Sequence, residues 1–290
     1  MKSLLSRVQK IDVSSEPFPH IIITDPLEDE ISLQLLSEYP DVKTIAKEET
    51  YSSNKRFSYS ASEVFSNENI SPLWKNFVQV HTSNVFLNEV VSLFEDHVRL
   101  MYPSFEEEIG ALKTLTSGVR KIDNFPDVNV LLDAQICVNT PVAGTPSSVR
   151  TAHVDKPNKL FAGLYYLRSP EDTSTGGDLE IYKLKDKPNH FRGEYIRDKY
   201  VEVVKTVKYQ RNVLILFINS LYSVHGVTVR SKTNTPRYFF NLLGEVKQPL
   251  FDLSQYQEKK AWLGNSISAP AKALQNLKKM ALHSADSSDY

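Results

Sequence analysis

Hydrophobic positions change their period near residue 128. Upstream, apolar residues recur at helical spacing. Acidic residues at Glu28-Asp29-Glu30 open a segment carrying Ile31, Leu33, Leu35 and Leu36, and Pro40 stops it. Between Pro72 and Pro103, the residues Phe86, Val90, Val91, Phe94 and Val98 trace one face of a longer helix, continued by Leu100 and Met101. Residues 48–66, rich in Ser, Asn, Tyr and Phe, predict an extended loop placed to serve as a lid or as ordinary surface.

Downstream the pattern becomes short β-branched and aromatic runs separated by Pro, Gly, Asn and Asp. Eight strands are predicted, over about 129–139, 149–155, 161–167, 178–184, 200–207, 212–218, 222–229 and 236–246. Val213-Leu-Ile-Leu-Phe-Ile218 has no polar face and predicts burial on both sides. The charges of residues 185–199 predict a solvated insertion. Ala269, Ala273, Leu277 and Met280 predict a helix over 268–281, followed by a disordered tail at 283–290. Eight strands without intervening helices predict an α+β protein with a mainly β core, a jelly roll or double-stranded β-helix. Helices at both ends buttress it: 1–127 a helical N-terminal buttress, 128–247 the core and 248–282 C-terminal helices, all in one domain.

Composition narrows the function classes. Thirty-four Lys+Arg against 35 Asp+Glu give no electrostatic case for nucleic acid or an anionic membrane surface. No apolar run approaches the roughly 20 residues of a membrane helix. A single cysteine, Cys137, predicts a small core hydrophobe in a reducing, cytoplasmic setting. The helices at 72–103 fit a monomer, as a buttress, or a homodimer, as a face.

The chemistry concentrates on four residues. On a strand, His153 and Asp155 share one face, one pleat apart. A second His from another strand, His225 in Tyr222-Ser-Val-His-Gly-Val-Thr-Val229, completes a 2-His-1-carboxylate set, which favours Fe(II) and leaves positions open. An Fe(II) site working with 2-oxoglutarate needs a cation for the distal carboxylate, and the guanidinium fork suits it. Arg230 and Arg237 both follow His225. Arg230 is an odd number of residues from His225 and faces away if the strand continues, so Arg237 is preferred. Arg150 reads as an entrance residue or a solvated one. Arg56 and Tyr59 are the substrate candidates of the lid segment. His20, His81, His97, His190 and His283 read as ordinary core or surface residues.

These motifs, His153-Val-Asp-Lys-Pro-Asn158, Gly163-Leu-Tyr-Tyr-Leu167, Gly176-Gly-Asp-Leu-Glu-Ile181, His225-Gly-Val and Arg237-Tyr, resemble the iron(II)/2-oxoglutarate-dependent oxygenases, in their prolyl-hydroxylase-like branch. The likeness covers about 130–246. It implies Fe(II) held by His153, Asp155 and His225, Arg237 on the 5-carboxylate of 2-oxoglutarate, and Tyr166 hydrogen-bonded to that co-substrate. It departs where the branch has a tyrosine on the first strand: Val138 or Asn139 stands there. The implied activity consumes O2 and 2-oxoglutarate, with ascorbate as reductant, and yields succinate, CO2 and a hydroxylated prolyl or other amino-acid side chain, free or in a peptide. Related halogenases carry a small residue at the carboxylate position, so Asp155 points to hydroxylation. The alternatives are a jelly-roll metalloenzyme of other chemistry, which has no need of Arg237, and a non-enzymatic jelly-roll binding module.

Overall fold

The computed structural model describes residues 1–258. The expected helix over 268–281 and the tail at 283–290 lie outside the described residues. From the N-terminus the first part carries β1 (His20–Thr24), α1 (Asp29–Ser37), α2 (Val42–Ala46), β2 (Arg56–Tyr59), α3 (Ala61–Ser66), α4 (Pro72–His81), α5 (Asn84–Met101), α6 (Phe105–Glu108) and β3 (Ser117–Val119). Then come β4 (Val130–Asn139), β5 (Lys159–Tyr166), β6 (Leu179–Leu184), β7 (Phe191–Arg192), β8 (Tyr195–Ile196), β9 (Val201–Val207), β10 (Val213–Ile218), β11 (His225–Val227) and β12 (Arg237–Val246).

The large sheet runs β1-β10-β5-β12-β4-β2, with β3 also on β4. A smaller sheet, β11-β6-β9, lies across from it. Leu179, Ile181 and Val207 of the small sheet pack with Cys137, Ala162, Tyr166, Ile215, Phe217 and Phe239 of the large one. Two facing sheets in this order, antiparallel but for the β3–β4 pair, are consistent with a jelly roll.

Strand alternation sorts each large-sheet strand between two environments. On β4, Val130, Leu132, Ala134, Ile136 and Val138 join the core beneath the helices. Asp133, Gln135, Cys137 and Asn139 alternate with them. The apolar β10 is divided the same way, Leu214, Leu216 and Ile218 to the helices and Ile215 and Phe217 to the small sheet, so both of its faces are buried.

The helices form as their caps dictate. Ser71 accepts from the Trp74 amide at 3.3 Å, with Pro72 in the first turn of α4. Ser83 accepts from the Phe86 amide at 3.2 Å and opens α5, so the helical stretch expected between Pro72 and Pro103 consists of α4 and α5. Trp74, Phe77 and Val78 of α4 and Phe86, Val90, Phe94 and Val98 of α5 all enter the core, which makes these helices a buttress.

Several expectations are corrected. The N-terminal part is not purely helical, because it supplies β1, β2 and β3 to the large sheet. Residues 48–66 are not one extended loop: 48–55 carry no helix or strand, but β2 pairs with β4 and α3 follows it. The strand expected at 149–155 is reduced to a bridge between His153 and His225, since the Ser148 hydroxyl takes up the Arg150 amide and the Val227 carbonyl. The charged insertion contains the β7–β8 hairpin, which docks on 152–154 through Val154 N–H to the Glu194 carbonyl and Ile196 N–H to the Ala152 carbonyl. Of residues 248–258, Leu253–Tyr256 forms a 3-10 turn rather than an α-helix. No helix among the described residues is long and apolar enough to cross a membrane.

His81 joins α4 to the N-terminal segment. Its Nδ1 donates to the Phe77 carbonyl at 2.7 Å and its Nε2 accepts the Leu4 amide at 3.0 Å. Burial pulls its pKa from 6.5 to about 4. Unfolding lets the ring protonate, so its contribution to stability is complete above about pH 6.5 and is lost as pH falls toward 4. Between pH 8 and pH 5 that contribution amounts to about 2 kcal/mol. Urea unfolding at the two pH values should therefore show a smaller pH difference for His81→Gln than for wild type. Equal differences would contradict a neutral, buried His81.

Candidate active site

The metal-ligand set is assembled by one backbone pairing. His153 and His225 face each other across their bridge, each amide donating to the other's carbonyl at 2.9 Å. Their rings lie 4.3 Å apart, and one ligand atom each from His153, Asp155 and His225 falls within 4.8 Å of the others. Both rings are oriented alike: His153 Nδ1 donates to the Thr151 carbonyl at 2.7 Å and His225 Nδ1 to the Ser223 carbonyl at 2.9 Å. That leaves Nε2 of each as the lone-pair atom. Nε2 of His153 is buried without a partner.

Protonation states suit a metal. Burial, aided by His225 and Arg150, pushes His153 well below the ordinary imidazole value, and burial lowers His225. Burial opposes the Asp155 charge, but Lys159, His225, His153 and Arg150 outweigh it and hold the carboxyl below the usual carboxylate range. Arg150 lies 3.3 Å from Oδ1 and Lys159 lies 3.2 Å from Oδ2. Neutral imidazoles beside an ionised carboxylate are the form that ligates a divalent ion.

The three residues line a cavity of about 360 Å³ that also contains Arg56, Asn139 and Arg237. Arg237 is 2% exposed, and its Nε donates to the Gly177 carbonyl at 3.0 Å. Gly177 has φ +74°, and a Cβ there would come within 3.3 Å of that Nε, so the Gly176-Gly177 turn is shaped around the arginine. The guanidinium carbon sits 4.9, 4.8 and 4.9 Å from the ring centres of Tyr166, Tyr209 and Phe239. No acid among the described residues is paired with it. Arg237 Nη2, the Tyr166 hydroxyl and Asn139 Oδ1 are buried without partners, as is His153 Nε2; these are four of the seven such atoms among the described residues. Buried polar atoms are rarely left so, and their concentration at one place marks a polar ligand.

Arg230 has a different fate. Its Nη2 meets Asp172 Oδ2 at 2.8 Å and the Thr235 carbonyl at 2.9 Å, and its Nε meets the Ser174 hydroxyl at 2.9 Å. Its charge is engaged in a buried brace. Asn139 rather than Val138 occupies the inner face of β4, opposite Arg237, while Val138 joins the helix-side core. Arg150 is bridged to Asp155 and to Glu194 rather than solvated. Tyr59 leaves the site: it is one alternation out of phase with the inward Arg56, sits in the helix-side core and accepts from Asn67 Nδ2 at 3.0 Å. Four contributors escaped the sequence reading. Lys159 had no motif to flag it, Glu194 and Tyr195, whose ring centre lies 5.8 Å from that of His153, lay in the stretch read as solvated, and Tyr209 fell between two predicted strands. Among the other histidines, His20 and His97 bond to the Phe18 carbonyl and the Ser15 hydroxyl, and His190 stacks on Tyr200; His283 lies outside the described residues.

No family model matches the chain, and no curated protein matches it. Its structure is similar to a prolyl 4-hydroxylase of Pseudomonas putida, at 11% identity over 79% of this chain and 93% of that one, TM-score 0.40. It is similar to a prolyl 4-hydroxylase of Phytophthora capsici at 13% identity over 96% and 74%, TM-score 0.46. It is also similar to a prolyl hydroxylase of Trichoplax adhaerens, solved with a hypoxia-inducible-factor peptide fragment, at 14% identity over 79% and 84%, TM-score 0.42.

The two buried arginines should respond differently to substitution. Asp172→Asn leaves Arg230 buried without its acid and should lower stability by roughly 3–5 kcal/mol. Arg237→Gln removes a cation that has no acid and should cost under about 2 kcal/mol. Urea denaturation reads both, and equal losses would contradict the assignment of Arg230 to structure.

Proposed function

We propose that the protein is an Fe(II)- and 2-oxoglutarate-dependent oxygenase that hydroxylates an unactivated C–H of a prolyl or other amino-acid side chain. The observation that carries this reading is Arg237. It is a buried guanidinium with no acid partner among the described residues, in the same cavity as a His-Asp-His set whose ligand atoms converge.

His153, Asp155 and His225 would hold the metal, and the donor set suits Fe(II) with positions left open. Arg237, with Tyr166 and Asn139, would take the distal carboxylate of 2-oxoglutarate. When bound, the metal and co-substrate supply the oxidising power, O2 being used as 2-oxoglutarate becomes succinate and CO2, and ascorbate keeps the iron reduced. The protein's own residues do the rest. The Thr151 and Ser223 carbonyls fix both ring orientations. Arg150 and Lys159 keep Asp155 ionised. Tyr166, Tyr209 and Phe239 shield Arg237 from water, which strengthens its attraction for a carboxylate.

Purified protein supplied with Fe(II), ascorbate, O2 and 2-oxoglutarate should form succinate slowly without added substrate. His153→Ala should abolish this, and Arg237→Ala should raise the KM for 2-oxoglutarate by about tenfold or more. Turnover unchanged in Arg237→Ala would favour a metalloenzyme of other chemistry. Absence of both turnover and anaerobic 2-oxoglutarate binding to the Fe(II) protein would overturn the proposal.

A further inference from the structure

The cavity holds a second arginine without an acid. Arg120 is paired with Asp133 and Glu245, and Arg150 with Asp155 and Glu194. Arg56 and Arg237 are the cavity arginines without an acid partner among the described residues. Arg56 sits on β2, the edge strand, opposite Asn139 of β4, which is itself opposite Arg237 of β12. Arg56 is half-buried, although an edge-strand arginine has open water within reach of its long stem. It reaches inward across β4 instead: Nη2 lies 3.9 Å from Cys137 Sγ, and the guanidinium carbon lies 5.0 Å from the centre of the Phe239 ring. That is the same ring that Arg237 meets at 4.9 Å. The acids nearest in sequence are committed elsewhere, Glu49 to Lys43 and Glu63 to Lys47.

Two guanidinium groups sharing one ring repel each other, and without an anion the arrangement is costly. On the proposed oxygenase reading, 2-oxoglutarate relieves only one of them. One of its carboxylates belongs at the metal and the other at Arg237, so Arg56 stays uncompensated. Lys159 adds to the imbalance, because its acid partner is Asp155, a proposed metal ligand.

We propose that Arg56 binds an oxyanion of the primary substrate, so that the substrate carries a free carboxylate or phosphate beside the C–H to be oxidised. The inference rests on the oxygenase reading and narrows it. An internal prolyl residue of a peptide has no such group. A free amino acid, the carboxy-terminal residue of a peptide, an acidic side chain or a phosphorylated molecule has one. Arg56 shares the Phe239 ring with Arg237 and lines the same cavity as His153, Asp155 and His225, so an anion held on it keeps the substrate within that cavity.

The test uses Mn(II)-loaded protein, first saturated with 2-oxoglutarate and then titrated calorimetrically with acetate or, in a separate arm, with sulfate as a tetrahedral probe. The expected result is saturable uptake of about one further anion per protein molecule, weakened at least about tenfold in Arg56→Gln and partly recovered in Arg56→Lys. The affinity for 2-oxoglutarate should change by less than about twofold in Arg56→Gln, which also reports an intact fold, and fall at least about tenfold in Arg237→Gln. Preference for acetate assigns a carboxylate, and preference for sulfate a phosphate. Absence of saturable uptake of either anion in wild type would overturn the proposal. So would a loss of 2-oxoglutarate affinity in Arg56→Gln as large as in Arg237→Gln, since Arg56 would then serve the co-substrate. Failure of wild type to bind 2-oxoglutarate at all would overturn the oxygenase reading instead, and the anion arms run without it would still decide the role of Arg56.

Discussion

The register of β12 between β4 and β5 is the constraint on which the rest depends. It sets Arg237 opposite Asn139, Phe239 opposite both Cys137 and Tyr166, and Asn241 opposite both Gln135 and Leu164. With a side-chain period of two, this one register sends the polar and aromatic set into the space between the sheets and the aliphatic set under the helices. A slip by one residue would exchange the two faces, placing Arg237 among the helices and Phe240 in the cavity. The buttress therefore does more than bury area. By packing Trp74 and Phe77 against Phe240, it stabilises the register through a large apolar contact on the face away from the chemistry.

Charge pairing then separates what holds the fold from what awaits a ligand. Every buried charge raises the same question: where is its partner? Arg230 answers with Asp172, and Asp155 answers with Arg150 and Lys159. Arg237 has aromatic rings and a single backbone carbonyl and no acid among the described residues. Arg56 has a thiol and the Phe239 ring that Arg237 also meets. Four of the seven unpartnered buried atoms among the described residues fall at His153, Asn139, Tyr166 and Arg237, so the polar deficit is concentrated where the charge deficit lies.

Much of this was legible in the sequence. The switch from helical to alternating period located the core, and the spacing of His153 and Asp155 placed two ligands on one side even though the backbone there forms only a bridge. That parity survived because a bridge still fixes which way successive side chains point. Setting Arg230 aside by parity assumed a strand running on from His225, but β11 ends at Val227; what distinguishes Arg230 is its pairing with Asp172. Residues 48–66 read as a loop, so no parity was applied to β2, where Arg56 and Tyr59, three residues apart, belong to opposite faces and only Arg56 enters the cavity. The roles of Lys159 and Glu194 were illegible for a different reason. Glu194 reaches Arg150 from the docked β7–β8 hairpin, and a charged run looks the same whether it is solvated or docked, whereas Lys159 meets Asp155 only four residues back, across a turn that no strand or helix period describes. The N-terminal strands were hidden by brevity: β2 and β3 span four and three residues and gain their pairing from β4.

The most direct test is crystallographic. Crystals grown with Mn(II) and 2-oxoglutarate should show an anomalous peak ligated by His153 Nε2, Asp155 and His225 Nε2, with the far carboxylate of the 2-oxo acid on the Arg237 guanidinium. An ion bound elsewhere, or a carboxylate seated on Arg230 while Arg237 stays bare, would contradict the account.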